Sequence, residues 1–109
     1  MTGSGAAAAT FQALADPTRR AVFELVAAAP SSVTTIAGKL PVSRPAVSQH
    51  LKILKGAELV RAQTQGREQI YALDVRGVAA ARRYFEQFWT DALTNFTIAA
   101  DQAAESEKP

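Results

Sequence analysis

Polar and basic side chains recur near the middle of the chain at spacings that put them on one face of a helix. They are Arg44, Ser48, Gln49 and Lys52. Between them fall apolar residues that would form the buried side of the same helix: Val47, Leu51 and Leu54. In the major groove of DNA, an arginine suits guanine, a glutamine suits adenine, and a serine suits several bases or a phosphate. The pattern predicts a helix whose outer face contacts duplex DNA.

The basic residues are concentrated in the same part of the chain. Between residues 39 and 67 there are six bases and one acid, Glu58, so this segment carries +5 while the whole 109-residue chain carries +2. The six bases are Lys39, Arg44, Lys52, Lys55, Arg61 and Arg67. Such a segment on an otherwise mildly acidic chain is typical of a polyanion-binding site. A solvated charged face would give the same composition, so charge alone does not decide between the two.

The composition excludes several kinds of chemistry. The chain has no cysteine, which excludes disulfides and thiolate metal sites, and its single histidine is His50. It has no phosphate-binding glycine loop and no dinucleotide-binding motif, and no pair of carboxylates suggests catalysis, so we expect no enzyme activity and no cofactor. Residues 1–10 do not resemble a secretory signal, and the most apolar run, 21–29, is too short to cross a bilayer. We therefore expect a cytoplasmic protein.

Apolar periodicity and capping residues predict one domain, mainly α with a small β-hairpin, in the order α-α-α-α-β-β-α. The expected helices cover residues 6–15, 17–29, 33–40, 44–57 and 74–104, and the expected strands cover 59–64 and 69–73, about a turn at 65–68. The expected N-caps are Asp16, Ser32, Ser43 and Asp74. Residues 1–5 and 105–109 are expected to be disordered.

The third and fourth helices, joined by the short turn 41–43 and followed by the hairpin, have the plan of a winged helix-turn-helix domain. The helix-turn-helix spans residues 33–57 and the wing spans 59–73. In such domains the N-terminal part of the second helix contacts base edges in the major groove. Arg67, beside Gly66 in the turn, can enter a minor groove or contact its phosphates.

The run from Ser43 to Val60, SRPAVSQHLKILKGAELV, resembles the recognition-helix segment of the arsenical-repressor (ArsR) family. Residues 15–20, ADPTRR, resemble the start of that family's second helix, and Gly66-Arg67 with Ile70-Tyr71 resembles its wing. The similarity spans residues 11–73. It implies a homodimeric repressor that binds double-stranded DNA.

The resemblance also implies DNA contacts by Ser43, Arg44, Ser48, Gln49, His50 and Arg67. With Pro45 in the first turn of the helix and Lys52, these residues form the predicted DNA-binding set. Other roles stay open for several of them. Ser43 can cap the helix, Ser48 can be a small packing residue, and Lys52 can be solvated. His50 can make a structural hydrogen bond instead of contacting a base.

Metal-sensing members of the family carry cysteines in the third helix or Asp and His ligands in the last helix. The third helix here, VTTIAGKL, has no thiol, and His50 lies in the recognition helix. The chain therefore resembles the members that lack a metal site. A small-molecule effector between the first and last helices stays open.

An aromatic stripe runs along the last helix at i, i+3, i+4 spacing. Its members are Phe85, Phe88, Trp89, Ala92 and Phe96, to which the first helix adds Phe11 and Leu14. A helix of some thirty residues is about 45 Å long, more than this small core can cover. The surplus predicts a second copy about a two-fold axis, which would place two recognition helices about 34 Å apart over an imperfect inverted repeat. Alternatively, the stripe packs entirely within its own domain. For Trp89 alone, the wall of a ligand pocket is the alternative to a place in the dimer interface.

Two functions from different classes compete. A DNA-binding repressor is favoured because occluding a promoter requires only binding. The alternative is a winged-helix module that binds protein, but such modules usually lose the polar, basic outer face that the fourth helix keeps here.

Arg19 and Arg20 are unexplained at the start of a helix, where acids are preferred. A phosphate contact, or an ion pair between Arg19 and Asp16, would account for them.

Overall fold

The structure, a computed structural model, describes residues 2–106 of the chain. Five helices and three short strands follow one another within this range: α1 (Thr2–Ala15), α2 (Pro17–Ala28), β1 (Ser31–Ser32), α3 (Val33–Lys39), α4 (Arg44–Gly56), β2 (Val60–Gln65), β3 (Glu68–Leu73) and α5 (Val75–Ser106). This order confirms the predicted helices and hairpin and adds β1. None of the described helices is long and apolar enough to cross a membrane.

Side-chain caps begin the middle helices where the sequence predicts them. The Asp16 carboxylate accepts a hydrogen bond from the Arg19 N–H (2.9 Å). The Ser32 hydroxyl accepts one from the Thr35 N–H (3.1 Å), and Ser43 caps α4 in the same way. Each cap satisfies one of the amide donors that a helix leaves unpaired in its first turn. These caps fix where α2, α3 and α4 start.

The core lies between α2, α3, α4 and the sheet. Its largest fully buried side chains are Val22, Val26, Ile36, Val47, Leu51, Leu54, Leu59 and Val60. The three apolar residues predicted for the inner side of α4 are among them. The second helix, predicted to end at residue 29, ends one residue earlier, and Ala29 is its exposed C-cap.

The sheet differs from the prediction in two ways. The hairpin loop is the two residues Gly66-Arg67 rather than four, with Gly66 at a φ of 60°, as at the first central position of a type II′ turn. The chain after α2 also forms β1, which pairs antiparallel with β3 so that the strand order is β1-β3-β2. Two serines carry no strand pattern of their own, so only the tertiary pairing reveals β1.

The terminal helices are longer than predicted. Helix α1 begins at Thr2 and α5 continues to Ser106, so residues 2–5, 105 and 106, expected to be disordered, are helical. Four successive alanines from Ala6 have high helix propensity, and extending an existing helix is easier than starting one. Residue 1 and residues 107–109 lie outside the described range. Helix α5 has 32 residues and is therefore about 48 Å long.

Asp74 lies at the start of α5 and anchors it, as the sequence predicts. Its carboxylate accepts a hydrogen bond from the Arg76 N–H (3.0 Å) and forms an ion pair with the Arg76 guanidinium (2.7 Å). The hydrogen bond from the Arg76 side chain holds the pKa of the buried Asp74 carboxyl below its ordinary value. The carboxylate therefore stays charged and fixes the first turn of α5.

The first turns of α5 touch the end of α4 at Gly77. Helix α4 closes in a Schellman motif, in which the Leu59 N–H donates to the Leu54 carbonyl (3.0 Å) and Glu58 takes a positive φ of 59°. The Gly77 N–H donates to the Glu58 carbonyl (2.9 Å), and Thr10 of α1 donates to the Gly77 carbonyl (2.9 Å). Gly77 thus joins α1, α4 and α5.

Gly77→Ala should lower the free energy of unfolding by about 1–3 kcal/mol, the usual cost of overpacking. The added Cβ would lie 2.7 Å from the Ala57 carbonyl oxygen and 2.8 Å from that of Glu58, and backbone cannot move aside cheaply. Urea denaturation measures the change. The matched control is Gly38→Ala within α3, where the new methyl meets nothing within 4 Å. That variant should gain up to about 1 kcal/mol from helix propensity. Equal stability of the two variants would contradict the tight contact at Gly77.

Candidate nucleic-acid interface

Helix α4 is buried along one side and open along the other. Val47, Leu51 and Leu54 are 0% exposed and hold it against the core. The opposite side carries the predicted DNA-binding residues, of which all but His50 are exposed: Ser43, Arg44, Pro45, Ser48, Gln49 and Lys52. The burial of three apolar side chains therefore fixes which polar groups reach solvent.

The first turn of α4 has few amide groups to offer a ligand. Ser43 Oγ accepts from the Ala46 N–H (3.3 Å), the Val47 N–H donates to the Ser43 carbonyl (2.9 Å), and Pro45 has no N–H. Among the described hydrogen bonds, none uses the Arg44 N–H. The Ser43 cap and Pro45 therefore leave few backbone donors in this turn for a phosphate.

Arg67 lies at the exposed tip of the β2–β3 hairpin, next to Gly66. The two strands stay in register below it, with Thr64 opposite Gln69. The Gln69 amide donates to the Thr64 hydroxyl (2.8 Å), which braces the strands just before the loop. The hairpin thus holds one cation away from the body of the domain.

The basic residues of this segment are not neutralised by neighbouring acids. Across residues 2–106, none of the six bases between residues 39 and 67 takes part in an ion pair. Glu58, the one acid of the segment, pairs with Arg76 of α5 (3.2 Å). The positive charge near α4 and the wing is therefore free to act on a polyanion.

His50 departs from the exposed face. Its side chain is 20% exposed, and its Nδ1 lies 3.7 Å from Asp16 Oδ2 at the start of α2. The distance is too long for a hydrogen bond. The structure thus brings His50 beside Asp16, a contact that no local sequence pattern indicates.

Comparisons with known proteins agree with this geometry. A family model described as a helix-turn-helix domain matches residues 14–63. The HTH-type transcriptional regulator Rv2034 of Mycobacterium tuberculosis is 52% identical over 91 residues, which cover 84% of this chain and 85% of that protein. The structure of an ArsR-like transcriptional regulator from Rhodococcus sp. RHA1 matches with a TM-score of 0.80 and 27% identity, over 94% of this chain and 97% of that one. The chain belongs to the ArsR family of winged helix-turn-helix transcriptional regulators.

A second similar structure is a homodimer. It is the homodimeric winged helix-turn-helix DNA-binding domain of Mb0332 from Mycobacterium bovis, described as a possible ArsR-family regulator. It matches with a TM-score of 0.62 and 28% identity, over 80% of each chain. As an ArsR-family member, the present chain is a transcriptional regulator with a helix-turn-helix DNA-binding domain, and not an enzyme.

Arg19 and Arg20 of this ArsR-family chain have a structural role that the sequence did not reveal. Arg19 donates from Nε to the Ala13 carbonyl, and Arg20 donates to the Leu14 carbonyl (3.2 Å). Both therefore bind the C-terminal carbonyls of α1, where cations are favoured. The expected pairing of Arg19 with Asp16 is present at 4.0 Å. The sequence feature that could have indicated this role is the helix break at residue 16, because it brings the end of α1 next to the start of α2.

The aromatic stripe begins on α1 and runs out along α5 beyond the core. Phe11 packs against Tyr84 and Phe85, with ring centroids 5.6 and 5.3 Å apart, while Leu14 packs against the core of its own domain. Every residue from Phe85 to Ser106 is exposed. The large members of the stripe keep more than half of their surface in solvent: Phe85 58%, Phe88 53%, Trp89 66% and Phe96 72%. An open cleft of about 580 Å³ is lined by Phe85, Phe88, Trp89 and Ala92 together with the charged Arg82 and Glu86.

Proposed function

We propose that this ArsR-family regulator is a homodimeric repressor that binds an imperfect inverted repeat in double-stranded DNA. The observation that carries the proposal is that one small domain exposes two separate surfaces, each suited to a binding partner. One is the polar, basic outer side of α4, and the other is the aromatic stripe of α1 and α5. The first suits a polyanion with base edges, and the second suits an identical apolar surface.

The proposed DNA contacts follow from exposure and chemistry. Arg44 and Gln49 contact base edges, since both project from the exposed side of α4. Arg67 contacts backbone or minor groove from the wing. Ser43, Pro45, Ser48 and Lys52 position the helix or contact phosphate, and His50 contacts a base.

The proposed dimer uses α1 and α5. An exposed row of four large aromatic side chains is unfavourable in water, and such patches usually mark an interface. The homodimeric state of the similar Mb0332 domain supports a second copy as the partner. The interface residues are Phe11, Leu14, Phe85, Phe88, Trp89, Ala92 and Phe96. A dimer bound across a promoter would repress by occluding it.

Gln49→Ala should relax sequence preference, whereas Arg67→Ala should weaken all sequences more evenly. A bidentate glutamine–adenine contact is worth about 1–3 kcal/mol of discrimination, while a phosphate contact carries little sequence information. The test selects bound duplexes from a random library with the parent and each variant, then measures affinities for the enriched sequence and single-base changes of it. If both variants keep the affinity and preference of the parent, the outer side of α4 is not the contact surface.

Trp89→Glu should convert the dimer to a monomer and reduce operator affinity, because a buried charge cannot be accommodated in an aromatic interface. The matched control is Thr90→Glu, which adds the same charge one residue later, about 100° around the helix and off the stripe. Sedimentation equilibrium gives the mass, and circular dichroism checks that both variants remain folded. A dimeric Trp89→Glu variant would contradict the proposed interface.

A further inference from the structure

The contact between His50 and Asp16 leaves a polar atom unsatisfied. Among the described residues, His50 Nδ1 is the one buried side-chain nitrogen or oxygen without a hydrogen-bond partner. A carboxylate oxygen, Asp16 Oδ2, lies 3.7 Å from this nitrogen. A buried unpaired group of this kind costs free energy, so the side chains are expected to close the gap.

Asp16 is held in place by Arg19. Its Oδ2 accepts from the Arg19 N–H (2.9 Å) and lies 4.0 Å from the Arg19 guanidinium. A carboxylate only accepts hydrogen bonds, and one oxygen can accept more than one. The carboxylate that caps α2 can therefore also accept a hydrogen bond from a side chain of α4.

The position of the proton on the neutral ring follows from this geometry. If Nε2 carried the proton, the Nδ1 lone pair would face a carboxylate oxygen, and two acceptors would meet in a buried place. If Nδ1 carries it, an approach of less than 1 Å makes an N–H···O hydrogen bond of about 2.9 Å. A hydrogen bond at one ring nitrogen fixes the role of the other.

We propose that Asp16 is a positioning residue that keeps the proton of neutral His50 on Nδ1, so that Nε2 accepts a hydrogen bond from a base of the bound DNA. In the major groove, the groups that donate to such an acceptor are the amino groups of adenine and cytosine. Guanine and thymine present only acceptors there and would be rejected at this position. The base contact rests on the proposed DNA-binding function, whereas the tautomer does not.

The tautomer can be measured without DNA. The chain has one histidine, so long-range ¹H–¹⁵N correlation spectra of the labelled protein, recorded at a pH where the ring is neutral, report on His50 alone. The parent should show the proton on Nδ1. Asp16→Ser keeps a good N-cap but removes the carboxylate, and it should shift the population towards Nε2–H. Asp74→Ser makes the same change at the cap of α5 and should leave the ring unchanged. A parent ring protonated on Nε2, or equal populations in the parent and Asp16→Ser, would overturn the proposal.

A double-mutant cycle then tests the consequence for DNA. On the selected operator, Asp16→Ser should reduce affinity about 3- to 10-fold, the equivalent of one neutral hydrogen bond. The loss should vanish when His50 is already alanine, because Asp16 acts through that ring. The same loss in both backgrounds would overturn the role of Asp16. If the parent selects no sequence at all, the proposed function fails, and the spectra still decide the tautomer.

Discussion

The contact of Gly77 with the carbonyl groups of Ala57 and Glu58 is the constraint on which the geometry of the whole domain depends. It fixes the start of α5 against the end of α4, and the hydrogen bond from Thr10 adds α1 to the same point. The helices that carry the aromatic stripe are thereby joined to the helix that carries the polar face. If two copies pair through the stripe about a two-fold axis, this contact alone would set the distance between their α4 helices.

The two surfaces of α4 could be predicted because they depend on local spacing. Val47, Leu51 and Leu54 recur every three or four residues, which fixes the buried side and leaves Arg44 and Gln49 outside. The helix starts were equally local, since Asp16, Ser32 and Ser43 cap a backbone amide three residues ahead. The exposed length of the stripe also followed from counting, because a 32-residue helix outruns a core of this size.

The features that the sequence did not predict depend on contacts between separate elements of the fold. Strand β1 exists because Ser31 pairs with Tyr71, and neither serine has a strand preference. The sequence left a phosphate contact open for Arg19 and Arg20, whereas in the structure both donate to carbonyl groups at the end of α1. The sequence left open a structural hydrogen bond for His50 but not its partner, Asp16, which lies 34 residues earlier in the chain. Periodicity reports one helix at a time and cannot locate such neighbours.

The distance between the two α4 helices of the proposed dimer is the measurement that tests the account most directly. Because the chain has no cysteine, Lys55→Cys introduces one spin label per protomer at an exposed position of α4 outside the proposed DNA-binding set. Pulsed electron–electron double resonance of the DNA-bound protein should give a single distance between the two labels near 34 Å, about one turn of the duplex. The absence of dipolar coupling, or a separation below about 20 Å, which is far short of one turn, would contradict a dimer that places both helices in successive major grooves.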